Sequence, residues 1–277
     1  MGKRVISRLP YLIGLLLLLT GLGFIAYPTV SDWMFRYSAK AEIVNYDQKI
    51  QSADGTQLEK VRQEAIRYNA QLSGEGTDTE DGPAVVSYND LLAVTEAIGY
   101  LEIPKLGLYL PIFHGIEDEI LKRGIGHLPE TSLPVGGTST HCVLSGHSGL
   151  PAAKLLTDLD QVGEGDVFNL HVLDETLAYE VDQIKVVLPT ETDDIRIVPG
   201  EDYVTLLTCT PYGVNTHRLL VRGTRVPYVP TDITIQTSDN GMIPPQRLFL
   251  YLGAAAVMIL LLLILIILFA PSGRKKK

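Results

Sequence analysis

Hydrophobic positions along the chain fall into three regimes. Two uninterrupted apolar runs lie near the ends, at about Leu9–Val30 and Leu248–Ala270. Each carries no charge, and as a helix of about 20 residues each can cross a hydrocarbon layer about 30 Å thick. The first run would also suit a cleaved signal peptide, but it is long and no clear small-x-small site follows it. Between the runs the pattern changes to amphipathic. Ile43, Val44, Tyr46 and Ile50, then Leu58, Val61, Ala65, Ile66 and Leu72, recur mostly at three- and four-residue spacing. That predicts two helices over 33–72, interrupted at Ser52–Gly55. Residues 73–83, SGEGTDTEDGP, are a polar loop, either a plain linker or a flap over a site, and a helix is predicted over Ser87–Glu96.

From Ile98 the texture becomes short β-rich runs bounded by Gly and Pro. Strands are predicted at 98–103, 108–113, 140–146, 167–173, 176–188, 203–209 and 216–223, with helical turns at 117–122 and 152–159. Many short strands with few helices imply a closed or nearly closed barrel. The chain thus divides into a basic tail (1–8), a span (9–30), a helical membrane-proximal segment (31–72), and a loop and helix (73–96). A β-domain (97–230), a linker (231–247), a second span (248–270) and a second basic tail (271–277) complete it.

Charge fixes an expected orientation. Lys3, Arg4 and Arg8 precede the first run, and Arg274, Lys275, Lys276 and Lys277 follow the second. Positive flanks stay in the cytoplasm, so both ends are expected inside and residues 31–247 outside. Without those seven basic residues the chain holds 16 basic against 32 acidic groups, which excludes nucleic acid as an expected partner.

Three segments can carry chemistry: HCVLSGHSG (141–149), TLLTCTPYG (205–213) and NTHRLLVRG (215–223). Cys209 closes an apolar strand beside a turn, where a scaffold fixes one side of a nucleophile and leaves the other open. The Pro-Tyr-Gly turn then brings the strand of Arg218 alongside. His147 ends the CVLSG strand in the same manner, and the two would share a pocket if that strand lies near Cys209. A thiolate attacks an amide carbonyl, imidazole carries the proton the departing amine needs, and a guanidinium stabilises the oxyanion. His141 competes with His147 but lies at the other end of its strand. His114, His127 and His171 read as core or surface, and His217 alternates in face with Arg218. Arg222 shares the face of Arg218 but sits about 13 Å along it, where a salt bridge is the simpler role. The two exported cysteines, Cys142 and Cys209, allow a disulfide, which would remove the nucleophile. No zinc-spaced cluster and no calcium loop is present in the sequence, so neither metal nor cofactor is predicted.

These segments resemble the sortase family. TLLTCTPYGVNTHRLLVRG looks like its cysteine-to-arginine hairpin and LSGHSG like its histidine site, while YLEIPKLGLYLPIF (100–113) and GIGHLPETSLPVGG (124–137) match in style. The resemblance runs from about 90 to 228 and is most like class C, the pilin-polymerising branch, in which a second span and a basic tail are typical. It implies a mainly β fold, an eight-stranded sortase-type barrel with N-terminal helices and a transmembrane helix at each end. It also implies catalytic roles for Cys209, His147 and Arg218, with Thr208 as a further oxyanion or substrate contact. The implied reaction cleaves an LPxTG-like sorting signal through a thioacyl enzyme and joins it to a pilin lysine. An acceptor amine on a cell-wall precursor, or a non-catalytic assembly role, are the alternatives. With the resemblance, Cys142 reads as a buried free thiol. Class C members carry a lid with an Asp-Pro-aromatic motif. Here Asp78, Asp81 and Pro83 supply its acid and proline, the aromatic is missing from Asp81-Gly82-Pro83-Ala84, and Tyr88 is the nearest ring.

Overall fold

The computed structural model describes residues 9–74, 86–150 and 152–230, together with Gly253 and Ile259. Two compact units are distinct: Met1–Val30 with Thr234–Lys277, and Ser31–Ile233. In the first, helix α1 (Leu9–Ser52) begins with exposed apolar turns that include Leu16, Leu17, Phe24 and Ile25. Among the described residues α1 is the one helix long and apolar enough to cross a membrane. The predicted second span lies outside the described residues, apart from helical positions at Gly253 and Ile259.

In the second unit α1 changes character. Ala39, Ile43, Tyr46 and Ile50 form one buried seam at three- and four-residue spacing. The break predicted at Ser52–Gly55 is present. Asp54 caps helix α2 (Gly55–Ser73) by accepting from the Thr56 N–H at 3.2 Å, and Gly74 closes it in the left-handed conformation.

The rest is a closed eight-stranded barrel in the order β1-β2-β3-β4-β7-β8-β6-β5. Its strands are β1 (Gly99–Ile103), β2 (Leu108–His114), β3 (Ile125–His127), β4 (Thr140–Ser145), β5 (Val167–Val172), β6 (Glu175–Val187), β7 (Asp202–Thr210) and β8 (His217–Val226). Leu101, Ile103, Leu110, Ile112, Ile125, Leu144, Phe168, Leu206 and Val221 are all buried, which marks the core. Strand β1 is buried on both faces because α1 covers its outer side. The Tyr46 ring meets Tyr100 edge-on at 6.2 Å. Its hydroxyl donates to Ile98 O at 3.3 Å and accepts from the Leu173 N–H at 2.7 Å. Two pairings are parallel, β2 with β3 and β4 with β7.

Three expectations need correcting. The segment Ser87–Glu96 is not a helix: a three-residue 3-10 turn at Tyr88–Asp90 runs into irregular turns, and Leu92 has φ of 56°. Residues 152–159 form turns ending in a 3-10 turn at Leu159–Gln161. Strand β3 was absent from the prediction. Its Gly126 faces the carbonyl of Gly115, so closely that a side chain would collide with it. That approach lets the short helix α3 (Asp118–Leu121) pack beside β3.

Candidate active site

Three adjacent strands carry the reactive types to one end of the barrel. Strands β4 and β7 run parallel, with Ser145 opposite Leu207. The ladder extends one residue further through the Gly146 N–H, which donates to Leu207 O at 3.0 Å. His147 therefore leaves β4 at the level where β7 reaches Cys209. Strand β8 returns antiparallel, with Cys209 directly opposite Arg218. Residues directly opposite in an antiparallel pair share a face. Val204, Leu206 and Thr208 are buried while Cys209 is half-buried, so alternation sends the thiol to the outer face.

Each partner has local restraints. The Arg218 guanidinium donates through Nη1 to Asn215 O at 3.2 Å and to His217 O at 3.1 Å, which ties it to its own turn. That turn is closed by the N–H groups of Val214 and Asn215, both donating to Pro211 O at 3.0 Å. The Tyr212 ring, 66 % exposed, packs against Gly149, which has φ of 80°. Thr208 does not face outward as an oxyanion contact would. It is buried, and its hydroxyl donates to Gly146 O at 2.8 Å. Gly146 is thus held by β7 through both its N–H and its carbonyl. Beside His147, Asp118 Oδ1 lies 3.5 Å from Nε2, and Asp118 Oδ2 lies 2.5 Å from Lys122 Nζ. Asp118 was not singled out from sequence; its one signal there is an acid four residues ahead of Lys122 in a short turn.

Both cysteines are free. Cys142 is buried in β4, and desolvation pushes its thiol well above the usual range, which keeps it protonated and inert. The disulfide reading is therefore excluded, and Cys209 remains a thiol. The other histidines have structural partners. His141 bonds Arg196 O at 2.8 Å and Thr205 Oγ1 at 2.7 Å. His171 bonds Glu102 at 2.8 Å and stacks on Tyr100. His127 is fully buried, with Nε2 at 2.9 Å from Ser132 O and Nδ1 at 2.8 Å from the Tyr88 hydroxyl. His114 packs edge-on against the Tyr88 ring at 4.8 Å. Tyr88 also accepts from the Gly115 N–H at 3.2 Å, so its ring belongs to this cluster. Arg222 makes the expected salt bridge, a two-pronged pair with Asp182 at 3.0 and 2.7 Å, and stacks 4.1 Å above Tyr203. The lid candidates Asp78, Asp81 and Pro83 lie outside the described residues. Among the described residues no group of side chains could hold a metal ion.

An unpaired thiol at a strand end of a closed barrel, facing a guanidinium across a hairpin, is the arrangement of a thiol enzyme, not of a disulfide-stapled structural domain. Comparison with known proteins narrows that class. The chain belongs to the sortase family of cysteine transpeptidases: a sortase-domain model matches residues 101–226. Sortase C of Streptococcus pneumoniae, whose structure is described in terms of catalysis and pilin substrate specificity, is 45 % identical with a TM-score of 0.62. That match covers 69 % of this chain and 100 % of the other. A lid mutant of Streptococcus agalactiae sortase C1 is 48 % identical with a TM-score of 0.61, covering 66 % of this chain and 96 % of that one. Sortase D of Bacillus subtilis is 27 % identical, covering 58 % of this chain and 79 % of the relative.

Proposed function

We propose that the protein joins pilin subunits covalently, as a class C sortase displayed on the outer face of a membrane. The observation that carries this reading is the register: Arg218 stands opposite Cys209, and β4 delivers His147 to the same strand ends. Likeness to sortase C structures, one of them described for pilin substrate specificity, supports the choice of substrate.

In this reading the Cys209 thiolate attacks the threonine carbonyl of an LPxTG-like signal. The Arg218 guanidinium stabilises the oxyanion, a contribution of about 3–4 kcal/mol for a donor of this kind. Protonated His147 gives its proton to the departing glycine amine, and the C–N bond breaks, leaving a thioester on Cys209. A lysine amine of a second pilin then attacks the thioester. His147 takes back a proton, an isopeptide bond forms, and the thiolate is released. Both spans, with cytoplasmic basic tails, belong to the proposal and rest on the flanking charges.

Full-length protein in membranes, incubated with purified pilin subunits, should give covalent ladders on denaturing gels, and Cys209→Ala should give none. Transfer only to wall-precursor amines would replace the acceptor. Ladders formed by the Cys209→Ala variant would end the catalytic assignment.

A lid over 73–88 is part of the same proposal, supported by the existence of a lid mutant among the similar structures. If Asp78 and Asp81 restrain Arg218, then Asp78→Ala with Asp81→Ala should accelerate cleavage of a short sorting-signal peptide severalfold. An unchanged rate would remove these two acids from the lid.

A further inference from the structure

His147 Nε2 is shielded from solvent and makes no hydrogen bond among the described residues. A shielded imidazole nitrogen without a partner is costly when the ring carries charge, because the imidazolium needs both N–H groups solvated or paired. Only one described carboxylate is recorded within ion-pair distance of that nitrogen: Asp118 Oδ1, at 3.5 Å. The Asp118 carboxylate is 69 % exposed, but its backbone is held in place. It opens α3, whose position beside β3 is set by the contact of Gly126 with Gly115 O. The N–H groups of Ile120 and Leu121 donate to Glu117 O at 2.9 and 3.0 Å, closing the turn beneath it. Its second oxygen meets Lys122 at 2.5 Å. One carboxylate thus faces two groups, the Lys122 ammonium and the His147 imidazole.

We propose that Asp118 is a positioning residue for the sortase reaction: it orients the His147 ring through Nε2. This rests on the assignment of His147 as the proton carrier. With Nε2 directed at Asp118, Nδ1 is the nitrogen that exchanges protons on the thiol side. Lys122 holds the second oxygen of the same carboxylate and so fixes the side from which Asp118 meets the ring. Other titratable or charged groups surround this end of the barrel. Glu119 is on α3, Cys209 on β7 and Arg218 on β8. Lys154 and Asp158, themselves paired at 3.5 Å, follow His147 on its loop. Asp32 comes from α1, where it accepts from the Lys154 N–H at 2.9 Å. Of these, only Asp118 reaches the imidazole at ion-pair distance.

Substitutions at Asp118 test the contact. Asp118→Asn keeps the shape but weakens the hold on Nε2, so kcat for a fluorogenic sorting-signal peptide should fall about threefold with KM nearly unchanged. Asp118→Glu, which keeps a carboxylate within reach of the ring, should recover most of that loss. A merely structural role would lower melting temperature and kcat together and would not be rescued by Glu. The assay uses the full chain in detergent micelles, and the His147 ring signals are read in parallel by histidine-selective NMR, where Asp118→Asn should shift them. Wild-type kcat and unchanged His147 ring signals in Asp118→Asn would overturn the assignment of Asp118. Absence of peptide cleavage by the wild-type chain, with the NMR shifts present, would instead overturn the proposed function and leave the pairing standing.

Discussion

At the scale of the residue, the site depends on which side chains alternate outward. Thr208 and Cys209 are neighbours, yet one is buried and bonded to Gly146 O while the other is left half-buried as a free thiol. The resemblance to sortases implied Thr208 as a further oxyanion or substrate contact. Strand periodicity sends it the opposite way, to the side where β7 grips the end of β4. Thr208→Val keeps the shape, removes the hydroxyl and leaves the Gly146 carbonyl without that donor, a loss of about 1–3 kcal/mol. The expected outcome is a lower kcat with KM unchanged, because His147 is one residue beyond the loosened carbonyl. A raised KM at full kcat would instead restore Thr208 as a substrate contact. Cys142 shows the converse. Spacing and compartment alone left a disulfide open, the resemblance to sortases made Cys142 a buried free thiol, and its burial inside β4 agrees with that reading.

At the scale of the element, local pattern and long-range pairing were unequally legible. The break at Ser52–Gly55 was readable because Asp54 and Gly55 are a cap and a helix start, and local chemistry suffices for both. The β7–β8 hairpin was readable for the same reason, since a Pro-Tyr-Gly turn pairs what flanks it. The parallel pairing of β4 with β7, which brings His147 to Cys209, joins segments about 60 residues apart and leaves no local trace. Strand β3 is three residues long and contains glycine, so it has neither the length nor the propensity that sequence rules use. The segment Ser87–Glu96 failed oppositely. A helix was expected there, but Leu91 and Leu92 are both buried, and Tyr88 is anchored to His127 and Gly115. Packing on several sides overrides propensity here. Gly146 tests how tightly β4 is held. A side chain there would approach Ile125 Cδ1 to 2.7 Å and Leu156 Cδ1 to 2.9 Å. Gly146→Ala should cost about 1–3 kcal/mol through overpacking. The melting temperature should fall by several degrees, and kcat should fall further than stability alone explains. An alanine variant with wild-type kcat would show that the His147 loop tolerates displacement.

At the scale of the whole molecule, stability should depend on pH through histidines that the fold buries for packing, apart from His147. His127 is fully buried between β3 and the Tyr88 turn, and desolvation lowers its pKa from 6.5 to about 4. Its two nitrogens are already committed, Nε2–H to Ser132 O and Nδ1 as acceptor for the Tyr88 hydroxyl. Protonation would add a charge and remove that acceptor. Above pH 6.5 the ring is neutral in both folded and unfolded chains and contributes no pH dependence. As pH falls below 6.5 the unfolded chain binds a proton that the folded chain refuses until about 4. Stability is therefore lost progressively across that window, by about 3 kcal/mol in total at this order of magnitude. His114 and His141 are lowered by burial too and act in the same sense. The paired carboxylates Glu96, Glu102 and Asp166 have lowered values as well, so their contribution disappears only at still lower pH. Thermal unfolding followed from pH 8 to pH 4 should show a flat region near neutrality and then a decline that starts before carboxylates titrate. His127→Gln should be less stable at neutral pH yet show a shallower decline. A melting temperature that stayed level down to pH 4.5 would mean that the folded chain accepts the proton at His127. The link between the Tyr88 turn and β3 would then be looser than the buried ring, held at both nitrogens, requires.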